Sequence, residues 1–328
     1  MKHHSSNSPR RPWWILTAVA VIIVVAAIAV SVSLSHRSAN TRSLPDQLPT
    51  TPQSYLGVYV RGAPASYDGI TAFTNATGTR PDLVMYYSGW YVPFPVGFAT
   101  TAANNGAVPL VQMDPYKKGQ EVSVAKIAAG QYDGYLSAYA EAVRAYRHPV
   151  ILSFGHEMNG SWYSWGYRSN TSPATFVAAW RHIVTLFREL GAGNVTWLWT
   201  VNIINDTQHG TIPPPAPWWP GNSYVNWVGI DGYYLKPNWQ FAPLFGPTIA
   251  KVHALTGDPI LIAETGATPA AGQPAKIADV FAGIHAYGLL GFVWFDSTNS
   301  AHQDFGISST AALAAFRKGA STFTRPGS

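Results

Sequence analysis

The chain has 328 residues, 47% of them hydrophobic and only 11% charged: ample apolar material for a large core, and too few ionic groups for a polyanion-binding surface. Of its 21 Lys and Arg residues, Lys2, Arg10, Arg11, Arg37 and Arg42 precede the first acid, Asp46, and the other 16 match the 16 Asp and Glu. The net charge of +5 therefore belongs to the N-terminal tail, and no nucleic-acid partner is expected. Cysteine is absent, which excludes disulfides, thiolate metal sites and a cysteine nucleophile.

Residues 1–14 form a short basic tail ending in Trp13 and Trp14. Residues 15–35 carry no charge and, at about 1.5 Å per helical residue, would be roughly 30 Å long, enough to span a bilayer. Arg10 and Arg11 before the span and the tryptophans at its edge place the tail in the cytoplasm and the rest of the chain outside. A retained transmembrane signal anchor is preferred to a cleaved signal peptide with a secreted product. The apolar run exceeds the usual h-region of about 7 to 15 residues, and no clean Ala-x-Ala site follows it. Residues 36–53, rich in Ser, Thr, Pro and Asn, read as a flexible linker.

Residues 54–325 read as one catalytic domain. Short apolar runs recur at 55–60, 82–87, 108–113, 150–154, 195–200, 227–230, 260–263 and 291–295. Their near-continuous hydrophobicity predicts strands buried on both faces, with intervals long enough for crossover helices. One interval is well marked: Ser172 as N-cap, Pro173 in the first turn, an apolar stripe through Phe176, Trp180, Ile183, Phe187 and Leu190, and Gly191 as the stop. Eight such units predict an α/β fold, a (β/α)8 TIM barrel preceded by an N-terminal transmembrane helix. A doubly wound sheet is the competitor, but no Gly-rich phosphate loop follows the first run.

In such a barrel the C-terminal strand ends carry the chemistry. Glu157 follows the fourth run, in the segment Ser153-Phe154-Gly155-His156-Glu157-Met158-Asn159-Gly160, and Glu264 follows the seventh, in Ala263-Glu264-Thr265-Gly266. Two carboxylates among aromatics, one kept protonated and one ionised, suit glycoside hydrolysis. Phe154, Trp162 and Tyr163 would desolvate Glu157 and favour its protonated form. His156-Glu157 also opens the zinc-protease pattern, but Gly160 stands where the second histidine is required, so a zinc site is rejected. Trp162, Tyr163, Trp165, Tyr167 and Trp294 are candidate walls for sugar rings, with core packing as the alternative for each. For Trp218 and Trp219, among the prolines of 213–220, packing is preferred. Lys117, Lys118, His182 and His253 read as solvated.

These motifs, with Trp162, Trp165-Gly166, Trp227-Val228-Gly229-Ile230-Asp231-Gly232-Tyr233 and Val293-Trp294-Phe295, resemble glycoside hydrolase family 26 over roughly residues 55–315. The family comprises retaining β-mannanases and their relatives on a clan A barrel. The resemblance implies Glu157 as acid/base, Glu264 as nucleophile, His156 lining the site and binding sugar, and Tyr233, in preference to Tyr234, hydrogen-bonding the nucleophile. Asp231 is expected to orient its neighbours. Two positions depart from the family pattern: Ser153 stands where many members carry arginine, and Ser164 where proline or tryptophan is common.

A mannan endo-1,4-β-mannosidase is thus the first expectation. The second is an anchored hydrolase of another β-glycan, such as mixed-linkage glucan, xylan or exopolysaccharide, and the third a catalytically silent carbohydrate-binding barrel. A β-linked poly- or oligosaccharide is the expected partner, with no metal or organic cofactor, and the domain is expected to be a monomer.

Overall fold

A computed structural model describes residues 48–118, 120, 122–204 and 212–324, besides Met1. The basic tail, the apolar span 15–35 and most of the linker expected at 36–53 lie outside the described residues. Among the described residues no helix is long and apolar enough to cross a membrane.

Eight strands follow in order: β1 Tyr55–Val60, β2 Leu83–Ser88, β3 Val108–Met113, β4 Val150–Phe154, β5 Val195–Asn202, β6 Trp227–Asp231, β7 Ile260–Thr265 and β8 Gly291–Asp296. Each pairs in parallel with the next and β8 closes on β1, giving a closed barrel. The helices are α1 Asp68–Thr77, α2 Val96–Asn104, α3 Val124–Ala128, α4 Asp133–Tyr146, α5 Pro173–Glu189, α6 Phe241–His253, α7 Gln273–Ala286 and α8 Thr310–Ala320.

The apolar runs are continuous because every strand is covered twice. Alternate residues divide between two cores. Tyr55, Leu83, Met85, Leu110, Ile151, Leu198, Trp227, Leu261 and Val293 fill the barrel interior. Leu56, Val84, Leu152, Trp199, Val228, Ile262 and Trp294 belong to the larger core shared with the helices. Toward the C-terminal ends the interior turns polar, with Gln112, Ser153, Thr200 and Asp231 all buried. Ser153, at the family's arginine position, donates to Thr200 Oγ1 at 3.1 Å.

Helix α5 follows its sequence signals closely. Ser172 Oγ accepts from Thr175 N at 3.1 Å, Pro173 opens the first turn, and Phe176, Trp180, Ile183 and Phe187 are buried. Leu190, read as the end of the apolar stripe, is the C-cap instead, and Gly191 at φ 75° lets the chain leave in the left-handed conformation. One expectation fails: between β5 and β6 the described residues hold only 3₁₀ turns at Ala216–Trp218 and Asn222–Tyr224. Pro213, Pro214, Pro215, Pro217 and Pro220 remove the N–H groups that an α-helix would need there. Trp218 is buried and Trp219 stands edge-on to Trp199, so this segment covers the barrel by packing aromatic rings.

Gly57 shows how tightly the barrel interior is filled. A Cβ there would lie 2.7 Å from Val293 Cγ2 and 3.1 Å from Leu83 Cβ, whereas one on Gly134, in the first turn of α4, would meet nothing within 4 Å. Gly57→Ala should destabilise the fold by about 1–3 kcal/mol through overpacking. Gly134→Ala should stabilise it by roughly 0.5–1 kcal/mol through helix propensity. Urea midpoints of the two variants check both signs.

Candidate active site

The chain leaves β4 through two residues in the left-handed region, Gly155 at φ 56° and Glu157 at φ 53°. For a glutamate this conformation costs about 1–3 kcal/mol. Flanking bonds hold it: Gly155 N donates to Met113 O and Glu157 N to Thr200 O, each at 2.9 Å. The turn brings His156 and Glu157, adjacent in sequence, to the same cavity. That cavity, of about 670 Å³, lies at the C-terminal ends of the strands. Its lining includes Tyr59, Arg61, Tyr87, Asp114, Trp162, Tyr163, Asn202, Tyr233, Trp239, Glu264 and Phe295.

Both oxygens of Glu157 are occupied. Asn202 Nδ2 donates to Oε1 at 2.6 Å and Trp162 Nε1 to Oε2 at 2.7 Å. Asn202 is itself fixed by a reciprocal pair: its N–H donates to Asn159 Oδ1 and Asn159 Nδ2 to its carbonyl, each at 2.8 Å. The Trp162 ring lies over Gly160, where a Cβ would come within 2.3 Å of Cζ2, so only glycine allows the indole to reach the carboxylate. These two donors fix the position and orientation of the Glu157 carboxyl group.

Glu264 reaches the cavity by an irregularity in the sheet. Strict alternation would put Leu261 and Ala263 inside and Glu264 outside. Instead β7 carries one residue more than both neighbours: Ile230 and Asp231 pair with Ile262 and Glu264, and Phe292 and Trp294 with Ile262 and Thr265. This bulge turns Glu264 inward beside Ala263. Its Oε1 accepts from Tyr87 Oη and its Oε2 from Tyr233 Oη, both at 2.6 Å. Burial pushes the carboxyl up to about 7, aided by the Glu157 charge and opposed by the His156 cation and the two phenols.

His156 is almost fully buried and lines the same cavity as the two acids. Its Nδ1 lies 2.8 Å from Asp114 Oδ1 and its Nε2 3.0 Å from Tyr163 Oη. Burial alone would lower the imidazole; the Asp114 carboxylate, with Glu264 and Glu157, overcomes it and raises the group to about 9. At neutral pH His156 is therefore an imidazolium, donating to Asp114 and to the Tyr163 oxygen. Asp231, paired in register with Glu264, is wholly buried, and burial together with the Glu264 and Glu157 charges raises its carboxyl well above the ordinary range. It does not line the cavity.

Two expected sugar contacts are corrected. Trp294 is fully buried with Nε1 donating to Phe305 O at 3.0 Å, because on β8 alternation sends Val293 and Phe295 inward and Trp294 toward the helices. Phe295 lines the cavity in its place. Trp165 is also buried; its Nε1 donates to His156 O at 2.9 Å and its ring stacks behind Tyr163 at 4.3 Å, so it backs the wall without forming it. His156, Trp162, Tyr163 and Tyr233 line the cavity, whereas Tyr234 is buried outside it. Tyr59, Tyr87, Asp114 and Asn202 were missed by motif reading, although each stands at or just beyond the end of a strand, and Tyr59, Tyr87 and Asn202 continue the inward alternation. Among the described residues no group of three or more His, Asp or Glu side chains is placed to hold a metal ion.

Two buried carboxylates under aromatic walls at the C-terminal mouth of a parallel barrel suit the chemistry of glycoside hydrolysis. The comparisons specify the family: the model of glycosyl hydrolase family 26 matches residues 79–299, and the chain belongs to that family. Endoglucanase H of Acetivibrio thermocellus is 32% identical over 279 residues, 80% of this chain and 30% of that protein. A beta-1,3-xylanase from a Vibrio species is 28% identical over 186 residues, 53% of this chain and 38% of that protein. The chain thus matches about a third of the length of these curated relatives. Among solved structures, the catalytic domain of an endo-beta-1,4-mannanase from Bacillus sp. JAMB-750 superposes with a TM-score of 0.64 at 18% identity, covering 81% of this chain and 85% of that one, a likeness of fold.

Because each phenol favours ionised Glu264, Tyr87→Phe and Tyr233→Phe should each move the acid limb of the kcat/KM profile to higher pH. Losing one hydrogen bond to a charged group should cost roughly 10- to 100-fold in kcat/KM. Full pH–rate profiles check this, and an unmoved acid limb for Tyr87→Phe would remove that residue from the charge balance. A second expectation concerns stability. The folded-state value of His156 lies above its ordinary 6.5, so its contribution is complete below about pH 6.5 and lost as pH rises through about 9. Asp114→Asn should therefore destabilise the protein at pH 6 and much less at pH 9.5, read from thermal midpoints at the two pH values.

Proposed function

We propose that this domain is a retaining, endo-acting β-glycosidase in which Glu264 is the nucleophile and Glu157 the acid/base. The observation that carries the reading is that two buried carboxylates share one cavity with different donors. Glu264 accepts from two phenols, while Glu157 accepts from the Asn202 amide and from the N–H of a partly exposed tryptophan. The charge on Glu157 is one of the causes that hold Glu264 high. A double displacement needs one carboxylate to attack and one carboxyl group to pass a proton, and the two acids of this cavity supply both.

In the first step Glu264 attacks the anomeric carbon as Glu157 gives its proton to the departing glycosidic oxygen, which takes the place of the Trp162 N–H at Oε2. In the second, Glu157 takes a proton from water as that water displaces Glu264 from the ester. Tyr87 and Tyr233 stabilise the carboxylate before attack and after release. Trp162, Tyr163, Trp239 and Phe295 offer aromatic faces to the sugar rings.

For the backbone cleaved, the longest match favours β-glucan, since the relative that spans 80% of this chain is named an endoglucanase. Mannan, expected from the family resemblance, stands second. Relatives named mannan endo-1,4-beta-mannosidase match smaller shares, for example 44% of this chain. Reducing-end release by the full chain from β-1,4-glucan, mixed-linkage β-glucan, β-mannan and β-xylan tests this, with Glu264→Ala as control. Cleavage of a glucan, reduced by about a thousandfold or more in the variant, is the expected result. Cleavage of mannan alone would reverse the substrate ranking, and activity surviving Glu264→Ala would overturn the mechanism.

A further inference from the structure

Arg61 lines the cavity directly after β1, between Val60 and Gly62, whose φ of 101° starts the turn. One guanidinium N–H donates to Thr298 O at 2.9 Å, and among the described residues no carboxylate lies within ion-pair distance of Arg61. The other cation of the cavity, His156, is committed to Asp114. Arg61 is thus a permanent positive charge at the cavity wall with no carboxylate paired to it among the described residues.

Its surroundings are a built frame. The β8 loop is closed by Asn299, whose Oδ1 accepts from Ala301 N and Gln303 N, each at 3.0 Å, and whose Nδ2 donates to Gln303 Oε1 at 2.9 Å. This fixes the strip beside Thr298, the carbonyl that anchors Arg61. Tyr59 lines the same cavity as Glu264 and Arg61. Tyr59 also stacks on Phe295 at 4.5 Å and meets Tyr87 edge-on at 5.2 Å. The cavity lining thus combines Glu264 and aromatic rings with an exposed guanidinium, tied to one backbone carbonyl, and the side-chain amides of Asn299 and Gln303.

We propose that Arg61, with Asn299 and Gln303, forms a subsite for the carboxylate of a uronic acid unit or branch on the β-glycan, so that the preferred substrate is acidic. The inference rests on the glycosidase reading of the same cavity. A guanidinium presents two parallel N–H groups that match a carboxylate, and a neutral sugar hydroxyl would use only one of them. The carboxylates of the cavity repel an anionic substrate, and Arg61 in the same wall offsets that repulsion. The simpler role, in which Arg61 only laces the β1 loop to the β8 loop, makes a different prediction. It would weaken acidic and neutral ligands alike when removed.

The test is a calorimetric titration of the full chain carrying Glu264→Ala with a uronate-branched β-linked oligosaccharide and with the same compound after carboxyl reduction. The acidic form should bind about tenfold more tightly at low salt. That ratio should fall to about one with Arg61→Gln, persist in part with Arg61→Lys, and shrink at 0.5 M salt as screening rises. Equal binding of the two ligands, or an Arg61→Gln loss that leaves their ratio unchanged, would overturn the proposal. Hydrolysis by the wild-type chain, measured in parallel, separates the two readings. Cleavage with no acidic preference leaves the glycosidase standing and removes the subsite, whereas an acidic preference without cleavage does the reverse.

Discussion

Two carboxylates share a cavity in which both are almost fully buried, and much of the site answers that electrostatic cost. A buried carboxylate without donors would simply take up a proton, and two together repel each other as well. The protein supplies a donor for each of the four oxygens: Tyr87 and Tyr233 for Glu264, Asn202 and Trp162 for Glu157. It then sets a cation, His156, in the wall of the same cavity and holds it charged with a third carboxylate, Asp114. Each partner comes from a different strand end or loop, so the charge balance exists only when the barrel is closed.

Backbone irregularities sit where this balance demands them. A regular parallel barrel points every second residue inward, too few positions for what the mouth must hold. The left-handed turn after β4 brings two consecutive side chains, His156 and Glu157, into the cavity, and the bulge in β7 turns Glu264 into it next to Ala263 of the barrel interior. Both distortions lie at C-terminal strand ends, where packing on the barrel interior relaxes and neighbouring strands still supply hydrogen bonds. Glycine serves the same end at residue 160, which lets an indole lie flat on the backbone and still reach a carboxylate.

Aromatic rings serve two purposes, and burial separates them. Trp165, Trp199, Trp218 and Trp294 fix the frame from behind, with Trp165 and Trp294 spending their N–H groups on backbone carbonyls. Trp162, Tyr163, Tyr59 and Phe295 turn toward the cavity. The proline-rich connection from β5 to β6 belongs to the first group. It replaces a helix by packed rings and keeps the barrel wall covered.

The sequence alone determined the barrel, because strands buried on both faces must be continuously apolar and eight such runs separated by helix-length intervals have few other ways to fold. It also determined the two glutamates and their motif partners, since His156, Glu157, Tyr233 and Glu264 stand in short local patterns. Strand edges were legible to within about two residues, because the polar and apolar changes that mark them are local. Only the tertiary structure decided which rings face the substrate, since one step along β8 separates buried Trp294 from cavity-lining Phe295 and composition cannot tell them apart. It alone brought Tyr87, Asp114, Asn202 and Arg61 to the same cavity. Those residues lie scattered over about 140 positions of chain and meet through barrel closure, while the bulge in β7 turns Glu264 toward them; neither leaves a local signal in the sequence.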